Sequence, residues 1–260
     1  MNSDLVESNY SPPSATASET RCRCRSPEGR KLRNVVVCID GTSNKFRKMN
    51  TNIIEFYSHI VKSEDQLTYY NSGIGTYAKP SWRSFKYLKQ CVVNTVDLAI
   101  AWNLDKVIMA AYRWLSEEYR HGDKIYLIGF SRGAYQVRAI AGMIHQVGLI
   151  LPGNNEQIPF AYELYSDYKD EESMELSKTF KNTFSRENVG VNFVGVWDTV
   201  SSVGFFRGKT LPFTTRSCDH ICYFRQALAL DERRVKFLPE YVYGGKADES
   251  DDTSIPPHIK

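Results

Sequence analysis

The sequence lacks the features of membrane, secreted and nucleic-acid-binding proteins. Its 260 residues contain no apolar run of about eighteen or more, so no transmembrane helix is predicted. Residues 1–20 are polar and Ser-rich, without the charged and then apolar pattern of a signal peptide. The formal net charge is only +3, which is too small to argue for a nucleic-acid partner. These absences predict a cytoplasmic protein.

Cysteine is also scarce. Six cysteines are spread over the chain, and Cys38 lies inside an apolar stretch, so the pattern predicts reduced thiols rather than a disulfide framework. His220 stands between two cysteines, which suggests a zinc site with Cys22 and Cys24. That spacing is unlike a zinc finger, and no metal is predicted.

Neither of the common phosphate-binding motifs is complete. Gly73 and Gly75 lack a third glycine at Ala78, where a dinucleotide fingerprint needs one. Residues 129–133 are followed by Ala134 rather than by Lys and Ser or Thr, as a P-loop requires. No nucleotide or other cofactor is therefore predicted.

Composition divides the chain into three parts. Residues 1–32 form a Ser-rich and then basic leader, which we expect to be disordered. Residues 246–260 form an acidic, Pro-containing tail that cannot build a packed element. Residues 33–245 are expected to form a single folded domain.

Apolar periodicity within the domain alternates between strand and helix. Strands are predicted at 35–39, 66–70, 124–128 and 191–197, because apolar and aromatic residues predominate in these stretches and are continuous at 35–39. Helices are predicted at 52–61, with Asn52 as the cap, and at 100–119, 156–168 and 223–237. Such alternation predicts an α/β fold with a parallel sheet and helices on both faces.

The most informative motif is Gly-x-Ser-x-Gly between the third strand and a helix of small residues. A strand that turns directly into a helix strains the backbone of the turn residue, so its neighbours Gly129 and Gly133 must be small. The turn would raise the hydroxyl of Ser131 above the sheet. This context favours a nucleophile, whereas the motif alone would also fit a tight turn.

The same edge of the sheet offers hydrogen-bond donors for an oxyanion. The backbone amide of Arg132, at the start of the helix, is the first candidate. The backbone of Gly41 and Thr42, which follow the first strand, is the second. Asp40 would either support this loop or bind a metal.

Asp198 follows the fourth strand and is the candidate acid of a Ser-Asp-His site. Its position after Ser131 suits the residue order of α/β-hydrolases. Asp is also common at helix caps and in turns, so a structural role would explain this residue equally well. His59, His121 and His145 precede Asp198 on helices or helix ends, and His258 lies in the tail. No histidine of the chain is therefore an obvious general base.

Five stretches of the sequence, in this order, carry a family resemblance. They are VVVCIDGTSN at 35–44, YNSGIGT at 70–76, GFSRGA at 129–134, VGVWDTVSSVG at 194–204 and ALALDERRVKF at 227–237. Together they resemble the DUF2235 family, which includes the Tle1-type phospholipase effectors of bacterial type VI secretion and many fungal proteins. The resemblance covers about residues 33 to 240. It implies an α/β-hydrolase fold with Ser131 as nucleophile and Asp198 as acid, acting on a lipid or other carboxylic ester without a cofactor.

Two departures from that family bear on activity. Gln226 stands where family members carry a histidine, and the later family stretch that resembles the source of the catalytic histidine is absent. We therefore expect the family's last strands to be missing, which would leave a sheet edge open to a partner. The chain is then either part of an active hydrolase or a hydrolase relative that has lost its base.

The aromatic and basic loop at 77–85 leaves two interpretations open. It could shape a mouth for a phospholipid, with basic residues for the phosphate, or it could pack aromatic side chains on a small domain.

Overall fold

Five parallel strands form one sheet in the order β2-β1-β3-β4-β5. The computed structural model describes residues 32–41, 50–72, 89–168, 170–197, 211–214 and 220–228, and for 89–103 it describes the backbone. The α/β fold and the parallel sheet predicted from the sequence are confirmed. The strands are β1 (Asn34–Ile39), β2 (Gln66–Asn71), β3 (Lys124–Phe130), β4 (Val191–Trp197) and β5 (Ile221–Ala227).

In the described residues, five helices lie between these strands, with a short 3-10 turn at Asn155–Gln157. The first helix follows β1, the second follows β2, and the other three lie between β3 and β4. They are α1 (Asn52–His59), α2 (Lys89–Glu118), α3 (Arg132–Val147), α4 (Ile158–Ser166) and α5 (Glu171–Phe184).

The order of the strands decides which face each helix covers. Strand β2 lies on one side of β1 in the sheet, and β3, β4 and β5 follow one another on its other side. Because crossovers between parallel strands are right-handed, α1 covers one face and the later helices cover the other. Helix α1 packs through Ile53 against Val36, Cys38 and Ile128. The larger core lies on the opposite face, where helices α2 to α5 pack.

An ion pair joins the amino-terminal ends of β1 and β3. Arg33 donates to both carboxyl oxygens of Asp123, at 3.3 and 2.6 Å, and to the Glu118 carbonyl at 2.7 Å. Asp123 also accepts the Arg120 amide at 2.9 Å. The carboxyl group of Asp123 is thus nearly buried, and its partners hold the chain where two neighbouring strands begin.

The prediction of a helix at 223–237 is wrong at its start, because residues 221–227 form β5. Phe224 is buried whereas Tyr223 and Arg225 are exposed, which is the alternation of a strand at a sheet edge. The spacing of apolar residues in this short stretch fits both the two-residue period of a strand and the longer period of a helix. The pairing of this stretch with β4 makes it a strand. One strand of the sheet, β5, therefore follows Asp198 in the chain.

Three further details differ from the sequence predictions. Thr51, not Asn52, caps α1, since the Thr51 hydroxyl accepts the Ile54 amide. Helix α5 was not predicted, because its few apolar residues bury only one side and its capping box at Asp170 is a weak signal. Cys222 is in a disulfide, so the prediction of reduced thiols is wrong for this residue, whereas Cys38 is a free thiol.

Among the helices in the described part of the chain, none is long and apolar enough to cross a membrane.

Candidate active site

Ser131 occupies the corner between strand β3 and helix α3. Its backbone has φ 55° and ψ −120°, a region that L-residues rarely adopt. Ser131 is the N-cap of α3, but its side chain makes no capping hydrogen bond. The hydroxyl is therefore not used to stabilise the helix, and the residue is partly exposed at the carboxyl edge of the sheet.

The two glycines of the motif are required by close contacts. A Cβ at Gly129 would lie 2.6 Å from the Gly133 carbonyl oxygen and 2.7 Å from Ala134 Cα. A Cβ at Gly133 would collide with the Ile39 carbonyl oxygen and lie 2.6 Å from that of Asp40. Helix α3 thus begins directly against the end of β1, as the strand-turn-helix motif predicts.

The corner is also tied to strand β4. The Ser131 amide donates to the Trp197 carbonyl at 2.9 Å, and the Ala134 amide donates to the Ser131 carbonyl at 3.1 Å. The amide of Arg132 lies in the first turn of α3, where amides have no acceptor within the helix. Burial lowers the pKa of the Arg132 guanidinium.

Asp40 ends strand β1 beside this corner, and its side chain is 0% exposed. Its Oδ1 accepts the Gly41 amide at 2.6 Å. Its Oδ2 accepts the Thr51 hydroxyl at 2.7 Å and the Tyr70 hydroxyl at 3.2 Å. The Gly41 amide is thus held by Asp40 rather than directed toward Ser131.

Two of the residues predicted for the site lie outside the described residues. Thr42 follows Gly41, and Asp198 follows Trp197. Trp197 pairs with Phe130 across the sheet, so the described chain stops one residue short of Asp198 at the edge where Ser131 lies. Gly41, Ser131 and Arg132 follow the paired strands β1 and β3 at the same end of the sheet.

The described histidines lie at the amino-terminal ends of the strands, opposite to the carboxyl ends where Ser131 lies. His59 ends α1, and His121 lies in the turn before β3. His145 is in the last turn of α3, about 20 Å along the helix from Ser131 at 1.5 Å per residue. Its ring lies 5.0 Å from that of His220, which directly precedes β5. None of these four side chains is placed to accept the proton of Ser131, and His258 lies outside the described part.

Comparisons with known proteins identify the family of the chain. Residues 33–259 match the family described as T6SS, phospholipase effector Tle1-like, catalytic domain. The chain belongs to this family. It is also similar to an uncharacterized protein of Saccharomyces cerevisiae, with 36% identity over 218 residues. The match covers 79% of this chain but only 32% of the yeast protein. No solved structure matches the chain.

An apolar cavity of about 580 Å³ lies on the α1 face of this Tle1-like domain. Phe56 of α1 forms one side, and Phe193 and Trp197 lie on its floor. The cavity extends from the amino-terminal ends of β1 and β2 to the ends of β4 and β5. Ser131 does not line it, and Trp197 is the residue that connects the cavity with the corner.

Sequence reasoning missed Thr51 and Tyr70 as partners of the Tle1-like site. Thr51 carries one usable signal, since a Thr before a helix with Glu55 in its first turn is typical of an N-cap. The contact of Tyr70 with Asp40 depends on the pairing of β1 with β2, which is set by the whole sheet.

Proposed function

We propose that this Tle1-like domain is a serine hydrolase that cleaves carboxylic esters of lipids. The observation that supports this most directly is the backbone of Ser131, which is held at φ 55° between a buried strand and a helix N-terminus. A hydroxyl in that position is exposed to a substrate and lies beside backbone amides that can donate hydrogen bonds to a developing oxyanion.

Each residue then has a chemical task. The Ser131 hydroxyl gives its proton to a general base and attacks the ester carbonyl, and the Arg132 amide donates to the oxyanion that forms. When the oxyanion collapses, the ester C–O bond breaks and the alcohol leaves with that proton, and water then hydrolyses the acyl group from Ser131. The second donor is assigned to Thr42, because the Gly41 amide already donates to Asp40. Asp198 is the acid that orients the base.

The base is assigned to a residue outside the described part, since the four described histidines lie at the other edge. Loss of one member of a Ser-His-Asp site lowers turnover by roughly ten-thousandfold, so activity is a sensitive test of this assignment. A phospholipid substrate is supported by the family to which the chain belongs.

A fluorophosphonate probe tests the proposal. We expect the wild-type chain to be labelled, Ser131→Ala to lose the label, and Ser58→Ala to keep it, because Ser58 is exposed on α1 away from the corner. Mass spectrometry of the labelled peptide should place the adduct on Ser131. Absence of any label on the wild-type chain would contradict an esterase.

A second candidate is a binding protein built on a hydrolase scaffold without activity. It is favoured by Gln226, which replaces the family histidine and lies in β5, and by the position of β5 at the edge of the described sheet. An extended segment of a partner could pair with that edge. Partner binding that is equal in wild type and Ser131→Ala, without ester turnover, would favour this candidate.

A further inference from the structure

The carboxyl group of Asp40 lies where strand β1 ends and the segment leading to helix α1 begins. It is completely removed from solvent, and an acidic side chain is stable there only if hydrogen bonds replace those it would make to water. The described partners of Asp40 come from three separate places in the chain. They are the next residue, the cap of α1 and strand β2.

The hydroxyl protons at Asp40 have defined directions. The Thr51 hydroxyl accepts the Ile54 amide at 3.2 Å, so its own proton is directed to Asp40. Burial, together with Asp40 itself, raises the pKa of Tyr70, so the phenol keeps its proton and remains a donor. With the Gly41 amide, three donors therefore face one carboxyl group.

These contacts fix the backbone beside the corner between β3 and α3, where Ser131 lies. Gly41 and Thr51 lie on either side of residues 42–50, and both bind the same side chain. The backbone of Asp40 is in turn packed against Gly133 in the first turn of α3. One residue, Asp40, thus connects the two ends of this segment and helix α3, whose N-cap is Ser131.

We infer that Asp40 is a positioning residue that holds the Gly41 backbone and the start of α1 in register with Ser131. The inference rests on the proposed function, because its consequence is the rate of ester hydrolysis. An aspartate is required rather than an asparagine. The amide nitrogen of an asparagine would face at least one donor and could not accept its proton.

Asp40→Asn and Asp123→Asn form a matched pair for the experiment. Both wild-type carboxyl groups are nearly buried, at 0% and 7% exposed, and both accept a backbone amide, but they lie at opposite edges of the sheet. With p-nitrophenyl butyrate as substrate, we expect kcat of Asp40→Asn to fall roughly 100-fold while KM changes little. Asp123→Asn should keep kcat within about twofold.

A second pair covers the case in which Asp40→Asn does not fold. Thr51→Ser keeps the hydroxyl and should restore most of the kcat that Thr51→Val loses. Unchanged kcat in Asp40→Asn, or equal kcat in the two Thr51 variants, would overturn the inference.

Amide hydrogen exchange separates this inference from the proposed function. We expect peptides that include Gly41 and Thr51 to exchange faster in Asp40→Asn and to be unchanged in Asp123→Asn. If the wild-type chain hydrolyses no ester, the esterase proposal fails and exchange alone decides. Protection lost in Asp40→Asn then supports the positioning role, and retained protection overturns it.

Discussion

The strained backbone of Ser131 gives a prediction that does not depend on a substrate. Ser131→Gly should raise the free energy of unfolding, because glycine adopts φ 55° without a Cβ collision. Ser131→Ala should not, since alanine keeps the Cβ. Both variants lack the hydroxyl, so a difference between them reports the backbone alone.

The size of the effect follows from two opposing terms. A non-glycine residue in a rarely populated backbone region costs roughly 1–3 kcal/mol. Glycine increases the entropy of the unfolded chain, which offsets roughly 0.4–1 kcal/mol of that relief. Ser131→Gly should therefore be about 1 kcal/mol more stable than Ser131→Ala, which corresponds to an increase in Tm of about 3 °C.

Urea unfolding followed by far-UV circular dichroism measures this difference, provided that the slope with urea is the same in both variants. Asn188→Gly is the control, because Asn188 also has a positive φ of 56° but asparagine tolerates left-handed backbone. Its stability should change little. Equal midpoints for Ser131→Gly and Ser131→Ala would refute the argument that the corner is strained.

Two further predictions concern packing and pH. Gly133→Ala should lower the free energy of unfolding by about 2 kcal/mol, because its Cβ would meet the Ile39 and Asp40 carbonyl oxygens. A free energy of unfolding in urea equal to that of the wild type would contradict that contact. Gly133→Ala should cost more than Gly142→Ala, also in α3, where the nearest contact of an added Cβ would be the Tyr165 hydroxyl at 3.0 Å. Burial raises the pKa of Cys38 to about 12, so the native thiol should resist alkylation at pH 8. The thiol of the unfolded chain ionises from about pH 8.5, whereas the native thiol keeps its proton. Rising pH therefore favours the unfolded state, and the free energy of unfolding should fall by up to about 1.4 kcal/mol per pH unit above that value. Cys38→Ala should reduce this slope in urea titrations at pH 8, 9 and 10, and an unchanged slope would contradict it.

Much of the fold could be predicted because local signals and tertiary structure agree. Strand β4 was predicted with its observed bounds of Val191 and Trp197, and α3 begins at Arg132 as the motif requires. Residues 221–227 could not be assigned in this way, since a strand of seven residues at the sheet edge shows a pattern that a helix also fits. There the pairing with β4 decides, and that information lies far away in the sequence.

The candidate site was predictable to the extent that topology alone determines it. In a parallel sheet, every residue that directly follows a strand lies at the carboxyl edge, and Asp40 and Ser131 are such residues. Asp198 was predicted at this edge as well and lies outside the described residues. The partners of Asp40 were not predictable, because the Thr51 and Tyr70 hydroxyls reach it only after α1 and β2 have packed. Single polar residues of this kind carry no periodicity that a sequence pattern can reveal.

The same rule of topology applies to the general base. A histidine at the end of a crossover helix, or just before a strand, must lie at the amino-terminal edge, and His59, His121, His145 and His220 all occupy such positions. No rotation of a side chain can bring an imidazole across the length of a seven-residue strand, which is about 23 Å. A base for Ser131 must therefore come from a segment that follows a strand. Whether such a segment supplies one decides between an esterase and a binding protein.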